Sequence, residues 1–344
     1  MNERNARAPS IDIAIPCYEY GRFLRGCVES VLAQGMASVR ILVIDNASSD
    51  DTLDVARALA GKDSRIEILA RAVNYGPHAS FNAGIDWATA DYFMVLCADD
   101  LLAPGSLKRA VEIMERHTDI AFAYGEDVHC TGDPSLTWSA MGSEQDSWRV
   151  SSGNTFIEER CRRPEGYIAA GMVLVRTATQ KLAGHYRPEL PHTDDFEMLL
   201  RLALLGRVAY TPAIQGLKRM HSANRTNYYL QERTRDLVER VAALESFFLR
   251  EGGAMPDARR LRQMGMRSIA ERAYWCGIKD LVRGRRSAVA LFKLAYELDR
   301  TTMFVPPLNY LVRAKRHSGD TSQRLRMGSE LSRMGPARLL QSAD

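Results

Sequence analysis

The chain has 344 residues, a net charge of +4, 46% hydrophobic and 26% charged residues, the proportions of a water-soluble globular protein with room for one large α/β domain and a smaller appendage. No apolar run reaches the ~18 residues that span a bilayer, and the opening Met-Asn-Glu-Arg-Asn-Ala-Arg lacks the apolar core of a secretion signal. The six cysteines (17, 27, 97, 130, 161 and 276) form no Cys-x-x-Cys pair, which argues against a zinc site or disulfide scaffold and makes the cytoplasm the expected location.

Short β-like runs alternate with helical patterns through the first ~125 residues. Strands are predicted at Ile11 to Pro16, Val39 to Asp45, Ile66 to Leu69 and Tyr92 to Cys97. Helices are predicted from Phe23 to Leu32, Asp50 to Ala60 and His78 to Thr89. This order implies an α/β fold, a largely parallel sheet with helices on both faces. Ligands of such sheets bind beyond the carboxyl ends of the strands, where Pro16, Asp45, Asn74 and Asp99 all fall.

Residues 130 to 165 have no clear periodicity and read as one long connection, a length more often functional than idle. Gly166 to Arg176 is strand-like, Phe196 to Leu205 helical and Arg207 to Ile214 a further strand. From about Tyr228 the pattern is helical, with Glu271 to Pro306 the size of one tetratricopeptide hairpin. The expected organisation is a catalytic domain over 1–226, a helical region over 227–320 and a flexible basic tail over 321–344. Residues 250–344 hold 19 Lys and Arg against 9 Asp and Glu, about +10, leaving about −6 for the rest. A basic tail on an acidic body suggests an anionic partner such as lipid headgroups or nucleic acid.

Two carboxylates, Asp99 and Asp100, end the apolar run that begins at Tyr92. They either meet a divalent cation with a phosphorylated ligand or cap the helix that Pro104 helps to start. In Asp45-Asn46-Ala47-Ser48-Ser49-Asp50-Asp51-Thr52 a helix start accounts for Ser48 to Thr52. Asp45, the last residue of its strand, is suited to accept a hydrogen bond from a nucleobase N–H.

The ordered series Ile15-Pro16-Cys17-Tyr18-Glu19, Ile44-Asp45-Asn46-x-Ser48-x-Asp50-x-Thr52, Asn74-x-Gly76, Asn82-x-Gly84 and Asp99-Asp100 resembles the inverting glycosyltransferases of family 2, over roughly residues 10 to 225. That resemblance implies the GT-A fold, a Rossmann-like sheet, and a nucleotide-diphosphate sugar as donor, with UDP-sugars favoured. It also implies a divalent cation, Mn2+ or Mg2+. By position, Pro16, Cys17, Tyr18, Glu19, Asp45 and Asn46 would hold the nucleoside, and Asn74, Gly76, Asn82, Gly84 and Ala98 would line the donor pocket. Asp99 would bind the cation with Asp100 beside it.

Two positions depart from the family pattern. Cys97-Ala98-Asp99-Asp100 stands where Asp-Ser-Asp-Asp is usual, and Ser80-Phe81-Asn82 where Ala-Arg-Asn is usual. Cys97 is expected to be a buried strand thiol packed in the core, although a thiol is also a ligand for a soft metal.

His192-Thr193-Asp194-Asp195-Phe196 puts paired acids at a predicted helix start, which suits helix N-terminal electrostatics and also a catalytic pair. The resemblance makes Asp195 the base and Asp194 its helper. In Leu217-Lys218-Arg219-Met220-His221-Ser222-Ala223-Asn224-Arg225 it makes His221 a ligand of the metal or diphosphate, with Arg219 and Arg225 able to neutralise phosphates. No Gly-x-Gly-x-x-Gly or P-loop is present, which disfavours a dinucleotide enzyme or NTPase.

The combined expectation is a cytoplasmic, metal-dependent, inverting glycosyltransferase; the rival class is a catalytically weak or inactive nucleotide-sugar-binding or scaffold member of the same fold. Its acceptor would be a glycan or lipid-linked carrier entering beneath the 130–165 connection. A homo-oligomer and peripheral contact with the inner face of an anionic membrane are further expectations; a nucleic-acid partner is not expected.

Overall fold

The computed structural model describes residues 8–130, 147–164, 168, 170–221, 224, 232–308 and 310–311. The N-terminal half follows the anticipated alternation: β1 (Ile11–Cys17), α1 (Gly21–Leu32), β2 (Val39–Asp45), α2 (Thr52–Ala60), β3 (Ile66–Ala70), α3 (Pro77–Trp87) and β4 (Tyr92–Val95). β5 (Leu101–Leu102), α4 (Ser106–Arg116) and β6 (Ile120–Cys130) follow. Then come β7 (Arg149–Ser151), α5 (Gly153–Arg162), β8 (Leu174–Arg176), α6 (Thr177–Ala183), α7 (Asp194–Ala203) and β9 (Arg207–Arg219). The C-terminal helices are α8 (Arg233–Phe248), α9 (Ala258–Val282), α10 (Ser287–Leu298) and the short α11 (Thr301–Phe304).

The strands make one sheet in the order β3-β2-β1-β4-β8-β6-β9-β5, with β7 also on β9. β3, β2, β1 and β4 are mutually parallel, and β6 is parallel to β9. β8 runs antiparallel between β4 and β6 at mid-sheet, and β5 and β7 pair antiparallel with β9.

Side-chain alternation along β1 divides the core. Ile11, Ile13 and Ile15 join a cluster with Leu24, Val28 and Val31 of α1 and Leu107, Val111 and Met114 of α4. Ala14 faces the opposite cluster, with Ile85 of α3, Phe156 of α5 and Leu199 and Leu200 of α7. That second cluster continues into Leu244 and Phe247 of α8, Leu261 and Ile269 of α9 and Leu291 of α10. The helical region is therefore packed on the same apolar mass as the sheet.

Asp12 is fully buried in β1 yet well supplied with donors. Arg40 reaches it through Nε at 2.9 Å and Nη2 at 2.7 Å. The main-chain N–H groups of Thr89 and Ala90 donate to Oδ2 at 2.7 and 2.8 Å. A buried carboxylate is tolerable only when satisfied in this way, and the result fixes the α3–β4 connection against the sheet.

Three expectations are corrected. The stretch read as one connection contains β7 and α5. Ser152 caps α5 by accepting from the Thr155 N–H at 3.1 Å, and Phe156, Ile157 and Cys161 form its buried face. The strand expected at Gly166 to Arg176 is a 3-10 turn at Ala170–Met172 followed by the three residues of β8. β9 is longer than expected, because register shifts near Gly125 and Glu126 of β6 let the pairing run on to Arg219. The acceptor entry expected beneath residues 130–165 falls largely on 131–146, and the basic tail on 321–344; both lie outside the described residues.

Candidate active site

The carboxyl ends of β1, β2 and β4 open onto one rim. Asp45 ends β2 in register with Cys17 of β1, and its Oδ1 accepts from the Ser48 N–H at 3.2 Å. Among the described residues, Glu19 and Ala47 are the two non-glycine residues with left-handed backbone, φ 60° and 63°, so both loops at this rim turn sharply. The loops are laced together. The Glu19 N–H donates to Ser48 Oγ at 2.9 Å, and Ser49 Oγ donates to Glu19 Oε1 at 2.5 Å. Tyr18 projects outward, 48% exposed.

Asn46 organises the neighbouring loop. Its amide donates to Asn74 Oδ1 at 2.7 Å and to the Gly76 carbonyl at 3.2 Å, and its oxygen accepts from the Tyr75 N–H at 3.1 Å. Gly76 supplies the positive φ of 80° that precedes α3, with Pro77 at the helix start.

Asp99 and Asp100 do not cap a helix, since α4 starts only at Ser106 after the left-handed Gly105. Both carboxylates are buried and point instead at the end of β9. His221 Nε2 lies 3.0 Å from Asp99 Oδ2, which also accepts from Asn224 Nδ2 at 3.2 Å. The Arg219 N–H donates to Asp100 Oδ1 at 3.1 Å, and Arg219 Nε donates to the Asp99 carbonyl at 3.1 Å. Burial and then the charge of Asp99 push the Asp100 carboxyl well above the ordinary range.

Aromatic rings floor this corner. His221 stacks on Phe23 with centroids 4.8 Å apart, and Tyr20 meets it edge-on at 5.8 Å. The Arg219 guanidinium sits 5.0 Å over the same Phe23 ring. Burial, then the charges of Asp99, Cys97 and Asp100, raises the Tyr20 hydroxyl.

Cys97 lies beyond the last residue of β4 and is only partly buried, contrary to the expected strand thiol. The donor atoms of Cys97, Asp99 and Asp100 lie within 4.8 Å of one another. Ligands of one ion, each bonded at about 2.0–2.4 Å, sit no more than roughly 4.5 Å apart, so the trio fits a divalent cation with little movement.

The second acidic pair opens α7. Asp195 Oδ1 accepts from the Phe196 N–H at 2.6 Å, a helix-start contact that coexists with the chemical possibility. Burial and then the charge of Asp194 push the Asp195 carboxyl up to about 6, while the Phe196 N–H, Arg240 and His192 pull it down. Asp194 faces α3, with His78 Nε2 at an ion-pairing distance of 3.1 Å from Asp194 Oδ2 but without hydrogen-bond geometry. Burial raises the Tyr186 hydroxyl first, and Asp194, Asp195 and Cys97 add to the rise against the opposing charge of Arg201.

Four residues expected to meet the donor are occupied otherwise. Gly84 faces inward; a Cβ there would lie 2.5 Å from Ala14 Cβ, so it serves the close approach of α3 to β1. Asn82 donates to the Tyr186 carbonyl at 3.0 Å and accepts from the Tyr186 N–H at 2.8 Å. Ala98 and the Cys17 thiol are buried, with burial and then Asp45 raising the thiol. Cys17 reaches the rim only through its carbonyl, which accepts from the Asn46 N–H at 2.9 Å. Arg225 lies outside the described residues. Conversely, Tyr20, Phe23, Asn224, Tyr186 and His78 were not singled out as site residues. Tyr20 and Asn224 stand inside or beside the quoted motifs, which was the available signal.

Residues 12–176 match the sequence model of Glycosyl transferase family 2. The hyaluronan synthase of Pasteurella multocida is 23% identical over 219 residues, 63% of this chain and 21% of that protein. The chain thus spans about a fifth of the length of that curated relative. The crystal structure of S. aureus TarS 1-349 in complex with UDP-GlcNAc aligns with a TM-score of 0.54 at 13% identity, covering 86% of this chain and 91% of that one. The mannosyltransferase PcManGT from Pyrobaculum calidifontis, in complex with GDP-Man and Mn2+, aligns at 0.52 and 13%, covering 90% and 87%. The chain carries a glycosyl transferase family 2 domain on a GT-A fold.

Proposed function

We propose that the protein is an inverting glycosyltransferase, moving a sugar from a nucleotide-diphosphate sugar to a hydroxyl of a glycan or lipid-linked acceptor. A uridine nucleotide is the favoured donor carrier, and assembly of a surface polysaccharide or other glycoconjugate is the favoured setting. The observation that carries the reading is the 3.0 Å approach of His221 to Asp99, which joins two motifs 122 residues apart at the rim where Asp45 also ends.

In this reading the Pro16–Glu19 loop and Asp45 hold the nucleoside, and Arg219 with His221 faces the diphosphate. Asp99 and Asp100, with His221 beside them, would hold Mn2+ or Mg2+, which when bound stabilises negative charge on the departing diphosphate. Asp195 takes the proton of the acceptor hydroxyl as that oxygen attacks opposite the leaving group, and the charge of Asp194 beside it raises the basicity of Asp195. The Asp195 carboxyl, held near 6, is a stronger base than an ordinary aspartate and is still ionised at neutral pH.

Thermal-shift and calorimetric titration with a panel of UDP- and GDP-sugars, with and without Mn2+, tests this. Stabilisation by one donor in the presence of the ion, weakened in Asp99→Asn, is expected. No donor binding anywhere in the panel would overturn the assignment.

No helix among the described residues is long and apolar enough to cross a membrane. Peripheral contact with an anionic membrane is proposed through the exposed Arg283, Arg285 and Arg286, next to the exposed Leu281 and Val282. Replacing the three arginines by Glu should reduce sedimentation with anionic liposomes; unchanged partitioning would remove that contact.

A further inference from the structure

We infer that Cys97 supplies a thiolate ligand to the cation site, so that this chain binds Co2+, Zn2+ and Cd2+ in preference to Mg2+. The inference rests on the reading of the Asp99–Asp100 rim as a cation site and changes what that site selects.

Position comes first. β4 ends at Val95, so Cys97 belongs to the turn that carries the two carboxylates and is not held in the sheet. Its main chain is fixed on one side by the Cys27 thiol, which donates to the Cys97 carbonyl at 3.5 Å, and on the other by the Asp100 N–H, which donates to the same carbonyl at 3.0 Å. Gly171 leaves space beside the sulfur: a Cβ there would come within 3.5 Å of Sγ and 3.3 Å of the Cys97 nitrogen.

Chemistry then decides between ions. The sulfur lies within 4.8 Å of the Asp99 and Asp100 oxygens, and the His221 imidazole is 3.0 Å from Asp99. One sulfur and two carboxylates, with the His221 imidazole hydrogen-bonded to Asp99, make a mixed set that suits Zn2+ and Co2+. Mg2+ takes hard oxygen ligands and gains little from a thiolate. An aspartate at this position would provide a third oxygen and the opposite preference.

The test is titration of the full chain with Cd2+ and Co2+ under anaerobic, reducing conditions, read by thiolate-to-metal charge-transfer absorption. The wild type should give a saturable band that Cys97→Ser abolishes. Cys276→Ser, which removes the other partly exposed thiol, should keep it. Cd2+ affinity in Cys97→Ser should fall by at least the ~10–100-fold that loss of a mere supporting partner costs. Cys97→Asp should bind Mg2+ more tightly than the wild type does, without a band. A band that survives Cys97→Ser, or no band in the wild type at saturating Cd2+, overturns the inference.

UDP titration of the same samples separates the two readings. UDP binding without a Cys97-dependent band removes only the thiolate. A Cys97-dependent band in a protein that binds no nucleotide leaves the metal site standing and removes the donor reading.

Discussion

His78 Nε2 lies 3.1 Å from Asp194 Oδ2, and both residues are almost excluded from solvent, at 8% and 4% exposure. His78 stands in the first turn of α3 and Asp194 opens α7, so the approach sets the helix beside the Asp45 rim against the helix bearing the proposed base. His78→Ala should leave Asp194 without this partner and lower kcat about tenfold while KM for the donor changes little. His78→Gln, which keeps a polar side chain at this position, should recover part of the loss. Equal kcat in wild type and His78→Ala would show that the contact does not position the acidic pair.

Asp195→Asn is expected to lower turnover by at least ~100-fold with donor binding largely retained, since the amide cannot accept the acceptor's proton. The pH dependence has a defined sign. The carboxyl must be ionised to act, so kcat should rise with pH through about 6, the value to which burial and Asp194 push it. Arg240 is one of the groups holding it down, so Arg240→Gln should move that limb to higher pH. A limb that stays put, or moves down, would exclude Asp195 as the titrating group.

Glu197 is fully buried one turn after Asp194, paired with Arg201 at 2.9 Å and with Arg187. Burial raises its carboxyl, and the two guanidinium groups oppose that rise. Arg187 also donates to Ser246 Oγ at 2.9 Å and pairs with Glu251 at 2.5 Å, which ties α7 to the C-terminal helices. Glu197→Ala would leave Arg201 without its carboxylate in a low-dielectric interior and Arg187 with Glu251 alone, and removing one partner of a buried pair costs about 3–5 kcal/mol. Denaturant unfolding should report a loss of that order; a change near zero would mean that water or rearrangement satisfies the arginines.

The elements legible in the sequence were those whose signal is local. The strand–helix alternation to Val95 follows from apolar spacing, and Asp45 and Asp99 are conspicuous because a carboxylate closing an apolar run has few other uses. α5 also had a local signal, Ser152 three residues before Thr155 and an apolar face at Phe156, Ile157 and Cys161, hidden among the Gly, Ser and Pro of its surroundings. Asn82 was not legible as a structural clamp, because its partner Tyr186 is 104 residues away and contributes main-chain atoms, which every residue type presents alike. The His78–Asp194 contact was hidden for a related reason: nothing near either residue announces the other. Cys97 was misjudged by two residues of strand length, enough to move its sulfur from the core to the rim.

Gly84 offers the sharpest test of how α3 is seated. In a helix interior Gly→Ala normally stabilises by about 0.5–1 kcal/mol, because the unfolded chain loses freedom. Here the added methyl would lie 2.5 Å from Ala14 Cβ, 3.6 Å from Phe93 Cζ and 3.8 Å from Ile44 Cδ1. Ala14 is on the central strand and cannot yield, so α3 must move away from the sheet. Overpacking of this kind costs about 1–3 kcal/mol, which exceeds the propensity gain and reverses the sign. Gly84→Ala should therefore lower Tm, and displacement of α3 should also loosen His78 from Asp194 and Asn82 from Tyr186. Turnover in the folded variant should then fall further than the lost stability alone explains. A variant at least as stable as the wild type would mean that α3 sits farther from β1 than the 2.5 Å approach implies.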